Sequence, residues 1–326
     1  MKHREINSRL SIPLKWAVAM FLFTIVVFAL MVIFLSSAMA EVKASYLYNL
    51  SNFNGPIPYN WANVYVDKQK NEIYIVDPTE RNIRIFNENG MEVYRFGDDE
   101  SLGTIIDITV DSDGNIFVLS LLKSAVILCN FRGELVSEIK IKNLPPEFSM
   151  FTPDRIIYQE GRLYLAATNS LRIVVTNTNG VFEKGYDLAP LLGVSDKKRD
   201  VNDISGFNVD REGNMLFTIP VLSSAFRLSP EGRIENFGQS GSGPGKFGIA
   251  SGIAADDRGY IYISDKLRCV VMVFNNNLEF KAEFGYRGYQ PGNLIVPDDI
   301  GIDNNGRIYV AQAGARGVSV FRISYN

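Results

Sequence analysis

Six short stretches of this chain carry one pattern, and they recur at a nearly constant interval. They are Val66–Asp77 (VDKQKNEIYIVD), Val110–Ser120 (VDSDGNIFVLS), Tyr158–Ala167 (YQEGRLYLAA), Val209–Ile219 (VDREGNMLFTI), Ala255–Asp265 (ADDRGYIYISD) and Ile302–Gln312 (IDNNGRIYVAQ). Their central residues are Tyr74, Phe117, Tyr164, Leu216, Tyr262 and Tyr309, spaced by 43, 47, 52, 46 and 47 residues. A period of this size signals an architecture in which each unit buries its apolar side against the next.

Each unit reads as β structure. An apolar run leads into an Asp-x-x-Gly turn, where Asp bonds nearby backbone and Gly accepts φ > 0. A β-branched and aromatic run follows, then a loop and a third apolar run such as VVMVFN. A second turn leads to a fourth strand, which ends in Phe-Gly at Phe96-Gly97, Phe237-Gly238 and Phe284-Gly285. Four-stranded units at this spacing predict an all-β, six-bladed β-propeller of antiparallel blades. The sixth unit lacks a fourth strand. Ala44–Gly55 (ASYLYNLSNFNG) resembles the missing one. Pairing it with Val318–Ile323 closes the ring and removes two exposed sheet edges.

The propeller is assigned to residues 44–326. Residues 1–15 form a basic segment, with Lys2, Arg4, Arg9 and Lys15 against Glu5. Residues 16–36 form a transmembrane signal anchor or a signal peptide: Trp16–Leu35 carries no charge and is long enough to cross a hydrocarbon core of ~30 Å. Two alternatives stay open. The apolar run favours an uncleaved anchor, and Ala38-Met39-Ala40 has the form of a signal-peptidase site. Either way the basic flank stays inside. The propeller then faces the periplasm or another extracytoplasmic space, or is secreted if cleavage follows Ala40.

Net charge is −3 and the pI about 5.5. Neither fits the basic footprint of a nucleic-acid binder. No Cys-x-x-Cys or Cys/His cluster is present, which excludes a thiolate zinc site and covalently attached haem. Cys129 and Cys269 fall in the third strands of units two and five, across the ring and too far apart for a disulfide. The one histidine is His3, so the exported domain has no imidazole for a general base, a Ser-His-Asp triad or a His-ligated metal. Gly241–Gly248 (GSGPGKFG) departs from a P-loop at both ends and reads as a connector.

The units resemble NHL repeats. The best match is Phe237–Gly285, with its Gly-rich connector, Asp-x-x-Gly turn, Tyr-x-x-Asp and closing Phe-Gly. The third unit departs from the pattern, with Gln159 in place of the turn Asp. The resemblance implies a six-bladed propeller and a family of scaffolds that bind proteins or RNA. Related propellers include lyases, lactonases and esterases. Bacterial members are envelope scaffolds, some alongside multihaem cytochromes or secretion systems. It also implies that Asp77/Arg81 and Asp265/Arg268 are structural ion pairs.

Two sets of candidate site residues follow. One inner-strand position per unit should line the channel: Asn63, Asp107, Arg155, Gly206, Gly252 and Asp299. Asn63, Asp107 and Asp299 would be neighbours after closure, and their oxygens could hold Ca²⁺; alternatively Arg155 pairs with Asp107. No other cofactor is expected. The second set sits on loops after the second strands: Leu121, Leu122, Val221, Leu222, Lys266, Arg268 and Arg316. Its apolar members either tuck into the disc or contact a partner. The favoured function is a membrane-anchored, extracytoplasmic scaffold for envelope proteins. The alternative is a Ca²⁺-dependent hydrolase- or lyase-like enzyme at the channel mouth.

Overall fold

The repeated aspartates all turn the chain in the same way. Asp67 Oδ1 accepts the backbone N–H of Gln69 and Lys70, and Asp111 Oδ1 those of Asp113 and Asn115. Asp210, Asp256 and Asp303 repeat the bonds to the residues two and four positions on. Each carboxylate takes up N–H groups of a turn that the backbone also closes, as Gly114 N does by donating to Asp111 O. Where Gln159 replaces the aspartate, the turn shortens to Glu160-Gly161 with φ of 47° and 79°, the left-handed pair of a tight hairpin. The second turn of the unit is built likewise by Asn87, Asn130, Asn177 and Asn275.

The computed structural model describes residues 42–52, 55–57, 62–77, 80–98, 101–121 and 125–325. Six four-stranded sheets result. Blade one is Asn63–Asp67, Glu72–Asp77, Asn82–Phe86 and Glu92–Phe96. Blade two is Ile105–Val110, Ile116–Ser120, Val126–Cys129 and Leu135–Ile139. Blade three is Arg155–Gln159, Arg162–Ala167, Arg172–Asn177 and Phe182–Asp187. Blade four is Phe207–Val209, Met215–Ile219, Ser224–Leu228 and Ile234–Phe237. Blade five is Ala250–Ala255, Ile261–Asp265, Val270–Phe274 and Phe280–Gly285. Blade six takes Pro297–Ile302, Arg307–Gln312 and Val318–Tyr325 from the end of the chain, and Val42–Asn49 from its beginning.

Closure by the early strand agrees with the sequence expectation. Leu50 N donates to Val318 O at 3.0 Å. Tyr46 meets Phe321 edge-on at 5.8 Å. A buried polar chain locks the register: Gln312 Nε2 donates to Ser319 Oγ at 2.7 Å, and that hydroxyl donates to Asn49 Oδ1 at 2.7 Å.

Blades pack face to face, so second strands such as Ile116–Ser120 are buried throughout, while the outer strand Leu135–Ile139 is mostly exposed. The apolar clusters lie between consecutive blades. One joins Tyr74, Ile83 and Phe96 to Ile108 and Ile116. Another joins Tyr309, Val318 and Val320 to Ile73, Ile75 and Phe86, with Leu50 and Ile57 filling the junction. Cys129 ends a third strand, but Cys269 stands one residue before its own, at φ 58°. Both side chains are buried, and neither forms a disulfide.

Residues 1–41 lie outside the described residues, and with them the helix expected over 16–36 and the Ala40 cleavage site. Among the described residues no helix is long and apolar enough to cross a membrane.

The closing contact makes Leu50, 1% exposed, a sensitive position. Leu50→Ala should cost about 2–5 kcal/mol in denaturant unfolding, whereas Val93→Ala on an exposed outer strand should stay within about 0.5 kcal/mol.

Candidate functional site

The inner strands present one free edge to the channel, and their backbone groups there need partners. The inner-strand position singled out in each unit supplies several of them. Asn63 Nδ2 donates to Ile106 O of the next blade at 2.7 Å. Asp107 Oδ2 accepts from Ile156 N, and Asp299 Oδ2 from Val64 N, each at 2.8 Å. Thr109 and Tyr65 make further links of this kind, to Tyr158 N and Val110 O. In blades four and five the same position is glycine, and the next inner strand comes closer. A Cβ on Gly206 would lie 2.2 Å from Ser251 O, and one on Gly252 2.7 Å from Asp298 O. The position is therefore a blade-to-blade joint, filled by a side chain or by close backbone approach.

Asn63, Asp107 and Asp299, the candidate metal ligands, thus each commit one polar atom to the neighbouring blade. Burial raises the Asp107 carboxyl to about 7, against the pull of Arg155 and the Ile156 N–H. Burial likewise raises Asp299 to about 6. Arg155 feels Asp107, Asp154, Asp299 and Asp298 together and donates to Asp154 O at 2.9 Å. A cation is thus already supplied by the chain among these acids. Ca²⁺ takes six to eight oxygens, and Asp107 and Asp299 each have one carboxylate oxygen already bonded to a backbone N–H of the next blade.

Below the ring the channel, about 510 Å³, is walled by Tyr65, Ile108, Ile157, Phe207, Ile253 and Ile302 among others. At its far mouth Lys68 reaches from blade one to Asp257 of blade five at 2.9 Å, while Asn304 of blade six donates to Lys68 O.

The opposite end, the loop face, carries the blade-to-blade connectors and the loops after the second strands. Asp265 joins the two: its carboxylate accepts N–H groups from Gly248 and Ile249 on the connector and from Leu267 and Arg268 on the loop. This corrects the expected Asp265/Arg268 ion pair. The Arg268 guanidinium instead makes a two-pronged bond to Glu283 at 2.8 and 2.7 Å. Asp77 Oδ1 accepts from Glu80 N. Lys266 is held by Asp298 at 2.6 Å. Gly241–Gly248 is a connector, closed by a Ser240–Phe247 bridge over the buried Phe247 ring.

The apolar loop residues stand in solvent. Leu121 is 69% exposed and Val221 66%, and Leu222 is also exposed; Leu122 lies outside the described residues. Sequence reasoning passed over Met150, Ile249, Tyr286 and Tyr289, all exposed on the same face, because they sit in connectors that read as linkers; Leu267, on the Lys266–Arg268 loop, is exposed there too. Arg316 lies over the Tyr289 ring at 5.9 Å.

No protein-family model and no curated protein matches the chain. Solved structures do. A streptogramin B lyase superposes with a TM-score of 0.59 at 12% identity, over 87% of this chain and 98% of that one. A Bacteroides thetaiotaomicron VPI-5482 protein of unknown function gives 0.63 at 15%, over 87% and 76%. A catalytically inactive histidine-to-alanine variant of Staphylococcus aureus virginiamycin B lyase, with quinupristin, gives 0.57 at 12%, over 86% and 99%. At these identities the likeness concerns the fold, a six-bladed propeller.

The raised carboxyls set a pH dependence. Asp107 and Asp299 hold protons more tightly folded than unfolded, so their contribution is full below about pH 4 and is lost as pH rises through about 6 to 7. Between pH 5 and pH 8 the melting temperature of the wild type should therefore change less favourably than that of Asp107→Asn/Asp299→Asn, which keeps the amide acceptors. Thermal scans of both proteins at the two pH values check this, with about 2–4 °C expected per kcal/mol.

Proposed function

We propose that this chain is a non-enzymatic interaction scaffold, tethered outside the cytoplasmic membrane by its N-terminal apolar run, that docks envelope proteins on its loop face. One observation carries this reading: Leu121, Met150, Val221, Tyr286 and Tyr289 extend apolar surface into water from one face. Contiguous exposed apolar surface marks interaction sites; these five share a face although they come from different blades, while Phe131, Leu135 and Val136 are exposed elsewhere. The resemblance to NHL repeats supports the same reading, and extends it to assemblies that include multihaem cytochromes or secretion machinery. The chain has no haem motif, so a redox role would belong to the partner.

The lyase neighbours favour a second reading, an enzyme at the channel mouth. In the S. aureus enzyme the histidine-to-alanine variant is inactive. This chain has only His3, in the N-terminal segment. A lyase-like or hydrolase-like activity here would have to rely on Ca²⁺ held by Asn63, Asp107 and Asp299.

Two measurements separate the readings. Full-length chain, used as bait on solubilised membranes of its source, should retain a partner that Leu121→Asp/Val221→Asp loses without a change in melting temperature. Equal retention by the variant contradicts the scaffold reading. Titration calorimetry with Ca²⁺ should give no heat of binding. Saturable binding that Asp107→Asn/Asp299→Asn abolishes would favour the enzyme.

A further inference from the structure

The loop face of blades five and six differs in charge from the rest of this acidic chain. Four segments build it: residues 239–249, 265–268, 286–296 and 313–317. Together they contain Lys246, Lys266, Arg268, Arg287 and Arg316, and Asp265 as their sole acid. Asp265 is 0% exposed and its carboxylate is occupied by backbone N–H groups. Lys266 is committed to Asp298 and Arg268 to Glu283. Lys246 and Arg287 are left exposed, and Arg316 is half-buried. By contrast, the connector after blade one reads Asp98-Asp99-Glu100.

The three cations stand among apolar and aromatic side chains, and the segments are tied together. Arg268 Nη1 donates to Lys246 O at 3.0 Å and Lys266 N to Ile249 O at 2.9 Å. Arg287 Nη2 donates to Leu267 O and Arg316 Nη1 to Tyr289 O, each at 3.0 Å. Tyr286 N donates to Cys269 O at 2.9 Å. The Nε of Arg316 is buried with no hydrogen-bond partner among the described residues. Two tyrosines, two arginines, a leucine and an isoleucine make up the kind of surface that concentrates binding energy.

We propose that this patch docks an acidic peptide segment of a partner protein, one that alternates carboxylates with apolar residues. The proposal rests on the scaffold reading and names the chemistry of its partner. Charge count decides among polyanions. Lys246, Arg287 and Arg316 fall short of the four to eight cations that mark recognition of anionic lipid, and the chain lacks the basic stripe of a nucleic-acid binder. Carboxylates match the arginine forks in pairs, as Glu283 does for Arg268 on the same face. The apolar residues of the segment would cover Leu267, Ile249 and the two tyrosine rings.

The test uses full-length protein in detergent and three labelled twelve-residue peptides, of alternating Glu and Leu, Lys and Leu, and Gln and Leu, read by fluorescence anisotropy. The Glu/Leu peptide should bind, more weakly as salt shortens the screening length. Arg287→Glu/Arg316→Glu should weaken it roughly tenfold, about 1.4 kcal/mol. Tyr289→Ala should also weaken it, while Arg287→Lys/Arg316→Lys keeps part of the affinity and Leu121→Asp changes nothing. Equal binding of the three peptides, or an undiminished Glu/Leu affinity in Arg287→Glu/Arg316→Glu, overturns the proposal. So does tighter binding to phosphatidylserine vesicles or to a single-stranded oligonucleotide. The two readings fail separately. If the captured partner is lost from Leu121→Asp/Val221→Asp but kept by Arg287→Glu/Arg316→Glu, the acidic-segment proposal falls and the scaffold stands. If both variants keep it, the scaffold falls.

Discussion

A ring of repeated sheets has one joint that chain connectivity does not make. Here that joint is the pairing of Val42–Asn49 with Val318–Tyr325. It combines backbone bonds with a buried relay, Gln312 to Ser319 to Asn49, whose polar groups would be costly to leave unpaired. Gln312 also accepts from Ile295 N at 2.9 Å, so the relay fixes the connector into blade six as well. Leu50 and Ile57 then fill the apolar junction between blades six and one. Every other junction is covalently continuous, while this one holds only as well as its packing and hydrogen bonds.

The channel follows from the same requirement. An inner strand has a neighbour on one side only, so its other edge must find partners at the next blade. Aspartate meets it as an acceptor at 107 and 299, asparagine as a donor at 63, and glycine at 206 and 252 by letting the next strand approach. The ring of oxygens read along the sequence as a candidate metal site also links each blade to the next in three dimensions. Of the acids kept there Asp107 is buried and Asp299 half-buried; desolvation raises both, and Arg155 pulls against it.

The parts of the fold legible in the sequence were those written in short-range chemistry. The turn aspartates act within four residues, and the apolar runs follow strand by strand, so the six units, their order and the closing strand could all be read. Long-range pairing was less legible. Arg268 has Asp265 three residues away but finds Glu283 on the outer strand, because Asp265 is already occupied by four backbone N–H groups. The left-handed residues that end the loops after the second strands were hidden too, since Arg81, Leu171, Ser223 and Cys269 adopt φ near 50° without a glycine to mark them. The aromatic face was hidden because Tyr286 and Tyr289 lie in a glycine-rich stretch whose composition suggests a plain connector.

The integrity of the ring rests on the closing strand. Hydrogen–deuterium exchange of the full-length chain, read peptide by peptide, tests that directly. Amides of Val42–Asn49 should be protected to the same degree as those of Val318–Ile323, exchanging only when the whole ring opens. Rapid exchange over Val42–Asn49, with the third strand of blade six and the five other blades still protected, would contradict closure by this strand.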